Sequence, residues 1–235
     1  MSDIIRSGLD SLAETVAEVK PKLRGWLHLA SAPLTVAAGI VLIALSPTAP
    51  TRIGSAVYTL SAVLLFTVSA VYHRGHWSPR VHGFLRRFDH ANIFLLIAGS
   101  YTPFTLVLLE GTQRVVLLAA IWSVAVLGVL FKIFWIGASK WLYLPIYMGM
   151  GWVAIFFIPA FNEGSHRLGV GIGTAVLVLV ITGGALYTAG GVIYGIKRPN
   201  PWPRWFGFHE VFHSLTILAF VTHYVGISLA TYSLR

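Results

Sequence analysis

The sequence predicts an all-α, polytopic membrane protein: a seven-transmembrane-helix bundle with the N-terminus inside and the C-terminus outside. Three observations support this fold class. Of the 235 residues, 56% are hydrophobic and only 11% are charged, whereas a soluble domain carries about 25% charged residues. Seven apolar runs are long enough to cross the hydrocarbon core, which takes about 20 helical residues. Lys and Arg are distributed unequally among the connections between these runs.

The seven apolar runs follow one another with gaps that are too short to hold a second domain. They cover residues 26–46, 54–73, 90–109, 115–135, 141–161, 168–196 and 208–231. We therefore assign residues 26–235 to one seven-helix transmembrane domain.

Residues 1–25 differ in kind from the rest of the chain. Their apolar side chains recur at helical spacing among acidic and polar positions, at Ile5, Leu9, Leu12, Val16 and Val19. This pattern is typical of a short amphipathic helix. We expect this cytoplasmic segment to lie on the membrane surface or against a neighbouring subunit, and a solvated helix is the alternative.

The positive charges predict the orientation. If the N-terminus is cytoplasmic, the inside segments hold 13 of the 17 Lys and Arg residues. Cytoplasmic connections carry an excess of these residues, so N-in, C-out is the predicted topology. The net charge of +9 does not indicate a nucleic-acid partner, because the basic residues lie between apolar runs rather than on one solvated face.

The stretch HEVFH, residues 209–213, matches the H-E-x-x-H pattern of zinc metalloproteases. Such a protease needs a further ligand, usually downstream. The 22 residues after His213 contain no Asp, Glu or Cys. His223 lies 14 residues beyond His209, which is about 21 Å along a helix. The pattern therefore indicates a metal site, while an intramembrane metalloprotease is the weaker interpretation, and we interpret Glu210 as incidental to the metal chemistry.

Five polar residues lie at the ends of predicted spans where burial in lipid would be costly. In the predicted topology, the second span ends and the third and seventh spans begin at the cytoplasmic surface. All five residues then fall in one leaflet at similar depth: Ser69, His73, Asp89, His209 and His213. This agreement favours one shared site over a set of unrelated histidines that face the lipid headgroups.

The residue types in this set favour a zinc centre. The chain contains no Cys, so a transition-metal site must use His, Asp or Glu. Three neutral imidazoles with one open coordination position are common in catalytic zinc sites. Asp89 would orient a ligand histidine, hold a water molecule or take a proton from it. Ser69 would donate or accept a hydrogen bond beside the metal.

The other histidines are assigned to hydrated or packing positions. His76, His82 and His90 lie in or beside a basic inner segment, and His166 lies in an outer loop. His28 begins the first span. His223 belongs to the outer half of the seventh span, where we expect it to serve packing.

Three segments carry a resemblance to a known family. They are SAVYH (69–73), FDHANIFLLIAGSYTPF (88–104) and PNPWPRWFGFHEVFH (199–213). They resemble the hemolysin III family, the bacterial branch of the progestin and adipoQ receptor superfamily, and the resemblance covers roughly residues 25–232. It implies an N-in, C-out seven-helix bundle in the bacterial inner membrane with one zinc ion near the cytoplasmic face. The implied ligands are His73, His209 and His213, and the implied water-activating or supporting pair is Ser69 and Asp89.

The resemblance also implies a function. Relatives suggest a zinc-dependent hydrolase of a lipid amide or ester, with a membrane lipid as substrate or ligand. The alternative is a non-catalytic regulator or sensor of membrane lipid homeostasis with a structural zinc. A pore-forming hemolysin is less favoured, because the charged residues do not line a path across the bilayer. The oligomeric state stays open.

Overall fold

The computed structural model of the protein describes residues 21–135 and 139–235. Within these two ranges the chain forms helices and no strands. The helices are α1 Trp26–Leu45, α2 Ala49–Arg74, α3 Pro79–Leu108, α4 Gly111–Phe134, α5 Lys140–Trp152, α6 Ile158–His166, α7 Val170–Ile196 and α8 Phe208–Tyr232.

Seven spans in the described part of the chain are long and apolar enough to cross a membrane. Six are single helices. The fifth, Trp141–His166, combines α5 and α6 through the 3-10 segment Val153–Phe157. This confirms the predicted all-α fold with seven transmembrane helices. The inward orientation of the N-terminus stays a prediction from the charges.

Several helices extend beyond the apolar runs that predicted them. The run assigned to the third span starts at residue 90, but α3 starts at Pro79. Proline is well tolerated in the first helical turn, where its missing N–H needs no partner. Hydropathy therefore located the membrane-embedded part of this span and missed its polar extension. α2 likewise begins early, at Ala49, where Thr48 and Thr51 form a capping box.

α3 is the central helix of the bundle. In its most apolar window 67% of the residues are buried, against 17–28% for the first, fourth, fifth and sixth spans. α2 and α8 also meet inside the bundle, where the hydroxyl of Tyr58 donates a 2.6 Å hydrogen bond to the carbonyl of Phe220. Large apolar side chains such as Leu34 and Phe156 face outward, as expected for a surface in contact with lipid.

The residues before α1 pack against the connection before α8. The backbone N–H groups of Lys22 and Leu23 donate to the carbonyls of Arg204 and Trp205 at 3.1 and 3.2 Å. These contacts bring the start of α1 to the start of α8. The predicted amphipathic helix falls mostly on residues 1–20, which lie outside the described residues.

Candidate metal centre

His73, His209 and His213 lie together at one end of the bundle. We call these three side chains, which could hold a metal ion, the metal group. His73 is in the last turn of α2, and the other two are in the first turns of α8. Their candidate ligand atoms all lie within 4.8 Å of one another. Among the residues that the structure describes, this is the one group of three or more histidine or carboxylate side chains close enough to share an ion.

The spacing of the ligand atoms suits a zinc ion. The Nε2 atoms of His73 and His209 are 3.3 Å apart. Two nitrogens that each lie about 2.0–2.1 Å from a tetrahedral zinc are about 3.3–3.4 Å from each other. Nδ1 of His213 is buried and has no hydrogen-bond partner. Three imidazoles without a thiolate also form a donor set that zinc accepts.

Asp89 and Ser69 border the same group. Oδ2 of Asp89 lies 3.9 Å from Nε2 of His73 and 3.9 Å from Nδ1 of His90. The side chain of Ser69 interacts with the Asp89 carboxyl. The five residues that the sequence singled out are therefore neighbours, contributed by α2, α3 and α8. Their roles stay predictions.

Comparison with known proteins identifies the family. Residues 16–224 match the family model described as "Haemolysin-III related". The chain belongs to the haemolysin-III family. It is 35% identical to "Hemolysin-3" of Bacillus cereus over 170 residues, 71% of this chain and 74% of the relative. It is 33% identical to "Hemolysin-3 homolog" of Bacillus subtilis (strain 168) over 162 residues, 68% of this chain and 69% of that relative.

Family membership and the seven spans agree with the predictions from sequence. This haemolysin-III protein is a multi-pass protein of the bacterial inner membrane. The resemblance stated from the three motif segments is confirmed.

The first turn of α8, which carries two of the histidines, is held by Glu210. This side chain is fully buried and forms an ion pair with Arg24, just before α1. Its other oxygen accepts a 2.9 Å hydrogen bond from the backbone N–H of Gly207, so it also caps the helix. From the sequence, we interpreted Glu210 as incidental to the metal chemistry. Glu210 is not in the metal group, but its contacts position the helix that presents His209 and His213.

His28 is a neighbour of the metal group that sequence reasoning missed. Its ring stacks on His213 with centroids 3.8 Å apart and an interplanar angle of 17°. It is 2% exposed, and neither of its ring nitrogens has a hydrogen-bond partner. One feature of the sequence indicates that His28 could be a neighbour. In the predicted topology the start of the first span lies at the same depth as the other histidines.

The prediction that His90 is hydrated is wrong. Its side chain is 17% exposed, and its Nδ1 and Nε2 lie 2.7 Å from the carbonyl of Arg86 and 3.4 Å from the hydroxyl of Tyr194. His90 is the first residue of the predicted third span, and its ring faces the hydroxyl of Tyr194 in α7 rather than solvent.

A large apolar cavity extends from the metal group into the bundle. Its volume is about 890 Å³, and its lining includes Ser69, Asp89, His209 and His213 at one end. Along α8 it continues as far as His223. His223 is not a member of the metal group, in agreement with the distance predicted from the sequence.

The cavity opens sideways between the fifth span and α7. Trp152 and Ile155 on one side, and Ile181 on the other, line the cavity and are also 51%, 48% and 64% exposed to the surroundings of the bundle. Side chains that face both the interior and the lipid-exposed surface mark the edge of an opening. At this edge Nε1 of Trp152 donates a 3.1 Å hydrogen bond to the hydroxyl of Thr188 in α7.

Proposed function

We propose that this protein is a zinc-dependent hydrolase of a lipid amide or ester. The observation that carries the proposal is the placement of three convergent histidines at the end of a cavity of about 890 Å³ that is lined mainly by apolar side chains. An apolar lining favours an acyl chain over a polar substrate, whose polar groups would lose their hydrogen bonds to water there.

The side chains around the metal group suit hydrolysis. A bound zinc ion would polarise the substrate carbonyl and acidify a water molecule. Asp89 approaches Nε2 of His73, the same atom that faces His209, so its carboxylate lies beside two of the candidate ligands. We assign to Asp89 the acceptance of the proton from water and its delivery to the leaving group. Ser69 would orient Asp89 or donate a hydrogen bond to the developing oxyanion.

The lateral opening supports a lipid as the class of substrate. A lipid would enter between the fifth span and α7 with its chain in the apolar cavity and its carbonyl near the histidines. Glu210 is engaged by Arg24 and the N–H of Gly207, so it is not free to act as the general base that an H-E-x-x-H protease requires. Both points favour a lipid over a peptide substrate.

The first test is metal content by mass spectrometry of detergent-purified protein. We expect about one zinc per chain in the wild type and loss of zinc in both His73→Ala and His213→Ala. His166→Ala is the matched control, because this histidine is exposed at the end of α6. A wild-type protein that contains no metal after purification without chelator would overturn the proposal.

The second test is turnover of synthetic long-chain amides and esters. Asp89→Asn should retain zinc and lose about 100- to 10,000-fold in rate, the usual contribution of acid–base catalysis. Ser69→Ala should retain zinc and lose less. Ser61→Ala is the control for the latter, because the Ser61 hydroxyl is also buried on α2 but donates to the carbonyl of Tyr58.

A structural zinc in a non-catalytic regulator is the second candidate. It is favoured by the way the histidines join α2 to α8. In that case the wild type would bind zinc and chelation would lower its unfolding temperature, but no lipid amide or ester would be hydrolysed.

A further inference from the structure

A second polar group lines the cavity, 10 residues of α8 beyond His213. His223 of α8 and Tyr187 of α7 have ring centroids 5.6 Å apart, and both line the cavity together with Ser100 of α3. His223 is only 7% exposed. The ring of Phe104 closes one side of it, at a centroid distance of 5.6 Å. We call His223, Tyr187 and Ser100 the distal polar group.

One ring nitrogen of His223 has a hydrogen-bond partner and the other has none. Nε2 lies 3.2 Å from the backbone carbonyl of Val180. A carbonyl oxygen only accepts, so Nε2 carries the ring proton and donates it. An uncharged imidazole then presents a lone pair at Nδ1. Nδ1 is buried and has no hydrogen-bond partner, which is costly for a polar atom inside a protein. This atom requires a donor.

Tyr187 offers a hydroxyl donor near the acceptor atom of His223. Its hydroxyl is buried and has no partner that meets hydrogen-bonding geometry. The Ser100 hydroxyl beside it donates to the carbonyl of Leu96 in its own helix, at 2.8 Å. The Tyr187 hydroxyl also interacts with that of Ser100. Tyr187 thus has an O–H that can be donated to Ser100 or to a ligand in the cavity, beside the ring of His223.

Space for His223 is provided by a glycine. A Cβ atom added to Gly183 of α7 would lie 2.2 Å from both Nε2 and Cδ2 of the His223 ring. No larger residue at this position would leave the imidazole where it is. The backbone of α7 therefore both receives the ring and holds it through Val180, which orients Nδ1.

We propose that the distal polar group binds a hydroxyl group carried by an apolar ligand. A hydroxyl can donate to Nδ1 of His223 and at the same time accept from the O–H of Tyr187. A ketone or ether oxygen has no proton to donate to Nδ1. A carboxylate would bring an uncompensated charge into an apolar cavity, which is strongly disfavoured.

The position of the distal polar group predicts where the hydroxyl is on the ligand. His223 follows His213 by 10 residues of α8, about 15 Å along the helix axis. An extended chain advances on the order of 1.2 Å per bond, so the hydroxyl would lie roughly 12 bonds from the group at the metal centre. That the group at the metal centre is an ester or amide rests on the proposed function. With that group given, the proposal narrows the substrate class to hydroxylated acyl chains.

Binding of two probe acids to the detergent-purified full chain tests the proposal. Calorimetry would compare ω-hydroxydodecanoic acid with dodecanoic acid, because a carboxylic acid is the product of ester or amide hydrolysis. We expect wild type to prefer the hydroxy acid by about 5- to 10-fold, the effect of one satisfied buried hydrogen bond. Tyr187→Phe and His223→Phe should abolish this preference without weakening the binding of dodecanoic acid.

Tyr224→Phe is the matched control, because this neighbouring hydroxyl donates to the carbonyl of Ala38 at 3.0 Å and does not line the cavity. It should keep the preference. Equal affinity of wild type for the two acids, or an unchanged preference in Tyr187→Phe, would overturn the proposal and assign the distal polar group to bound water. The assay requires no turnover, so a hydroxyl preference in a protein that hydrolyses no lipid would refute the proposed function alone.

Discussion

The Nε2 atoms of His73 and His209 lie 3.3 Å apart, although 136 positions separate these residues in the chain. This proximity joins the end of α2 to the start of α8. Contacts of the residues before α1 support it, since Arg24 pairs with Glu210 and the backbone of Lys22 pairs with that of Arg204. The candidate metal centre therefore depends on contacts made by residues other than its ligands.

Gly25 brings these elements close together. Its φ of +82° lies in the left-handed region, which glycine enters without the penalty of a side chain. A Cβ atom there would lie 2.8 Å from the Cβ of His73. The start of α1 is thus pressed against the helical turn that carries the first ligand.

Loss of the buried ion pair should destabilise the protein. Arg24→Met leaves the fully buried carboxylate of Glu210 without its partner, and removing one member of a buried pair costs about 3–5 kcal/mol. We expect a lower unfolding temperature in detergent and weaker zinc binding, because the first turn of α8 is released.

Glu110→Gln is the control for this prediction, because it removes an exposed ion pair and leaves the hydrogen bond from Arg167 to the carbonyl of Leu108 in place. Arg167 pairs with Glu110 at 3.0 Å, but the two side chains are 43% and 67% exposed, and such pairs contribute about 0–1 kcal/mol. Equal destabilisation by the two substitutions would show that the Arg24–Glu210 pair has no special structural role.

The stack of His28 on His213 should stabilise the metal centre through ring orientation. We expect His28→Ala to weaken zinc affinity by about 10-fold or more, the usual effect of removing a residue that supports a ligand. His28→Phe preserves a flat ring and should restore most of the affinity. Zinc competition with a chromogenic chelator measures both variants. Equal loss in the Ala and Phe variants would contradict an orienting role for the stack.

The sideways opening should control access of lipid to the cavity. Ala185 of α7 lines the cavity and is exposed at its edge, so Ala185→Trp should obstruct entry. We expect the association rate of dodecanoic acid to fall by about 10-fold, with zinc content unchanged. Val178→Trp places the same side chain on a lipid-facing position of α7 outside the cavity lining. If both variants bind the acid as fast as wild type does, the ligand enters by another route.

The sequence predicted the spans and the members of the metal group for one physical reason. Apolar length reports which segments cross the bilayer, and alternation of the spans then places residues at a depth. Depth was enough to group His73 with His209 and His213, and with Ser69 and Asp89, before any packing was known. The structure places these five residues together.

Depth does not reveal which way a side chain faces. His28 was at the right depth, but only the packing of α1 shows that its ring lies flat on His213. His90 was assigned to solvent, because its place beside a basic segment does not show that its ring faces Tyr194. Glu210 looked incidental until the segment before α1 was seen to pair with it. Rotation of a helix about its axis is decided by contacts with its neighbours, and these contacts are not visible in a single sequence.

The sequence by itself determined that the chain crosses the membrane seven times, and it singled out the residues of one candidate metal site. The tertiary structure alone decided that these residues meet at one end of a large apolar cavity, that the cavity opens between the fifth span and α7, and that His223 and Tyr187 meet further along it. The physical reason is that hydrophobicity is a property of each segment, whereas a cavity exists only where several packed segments leave space between them.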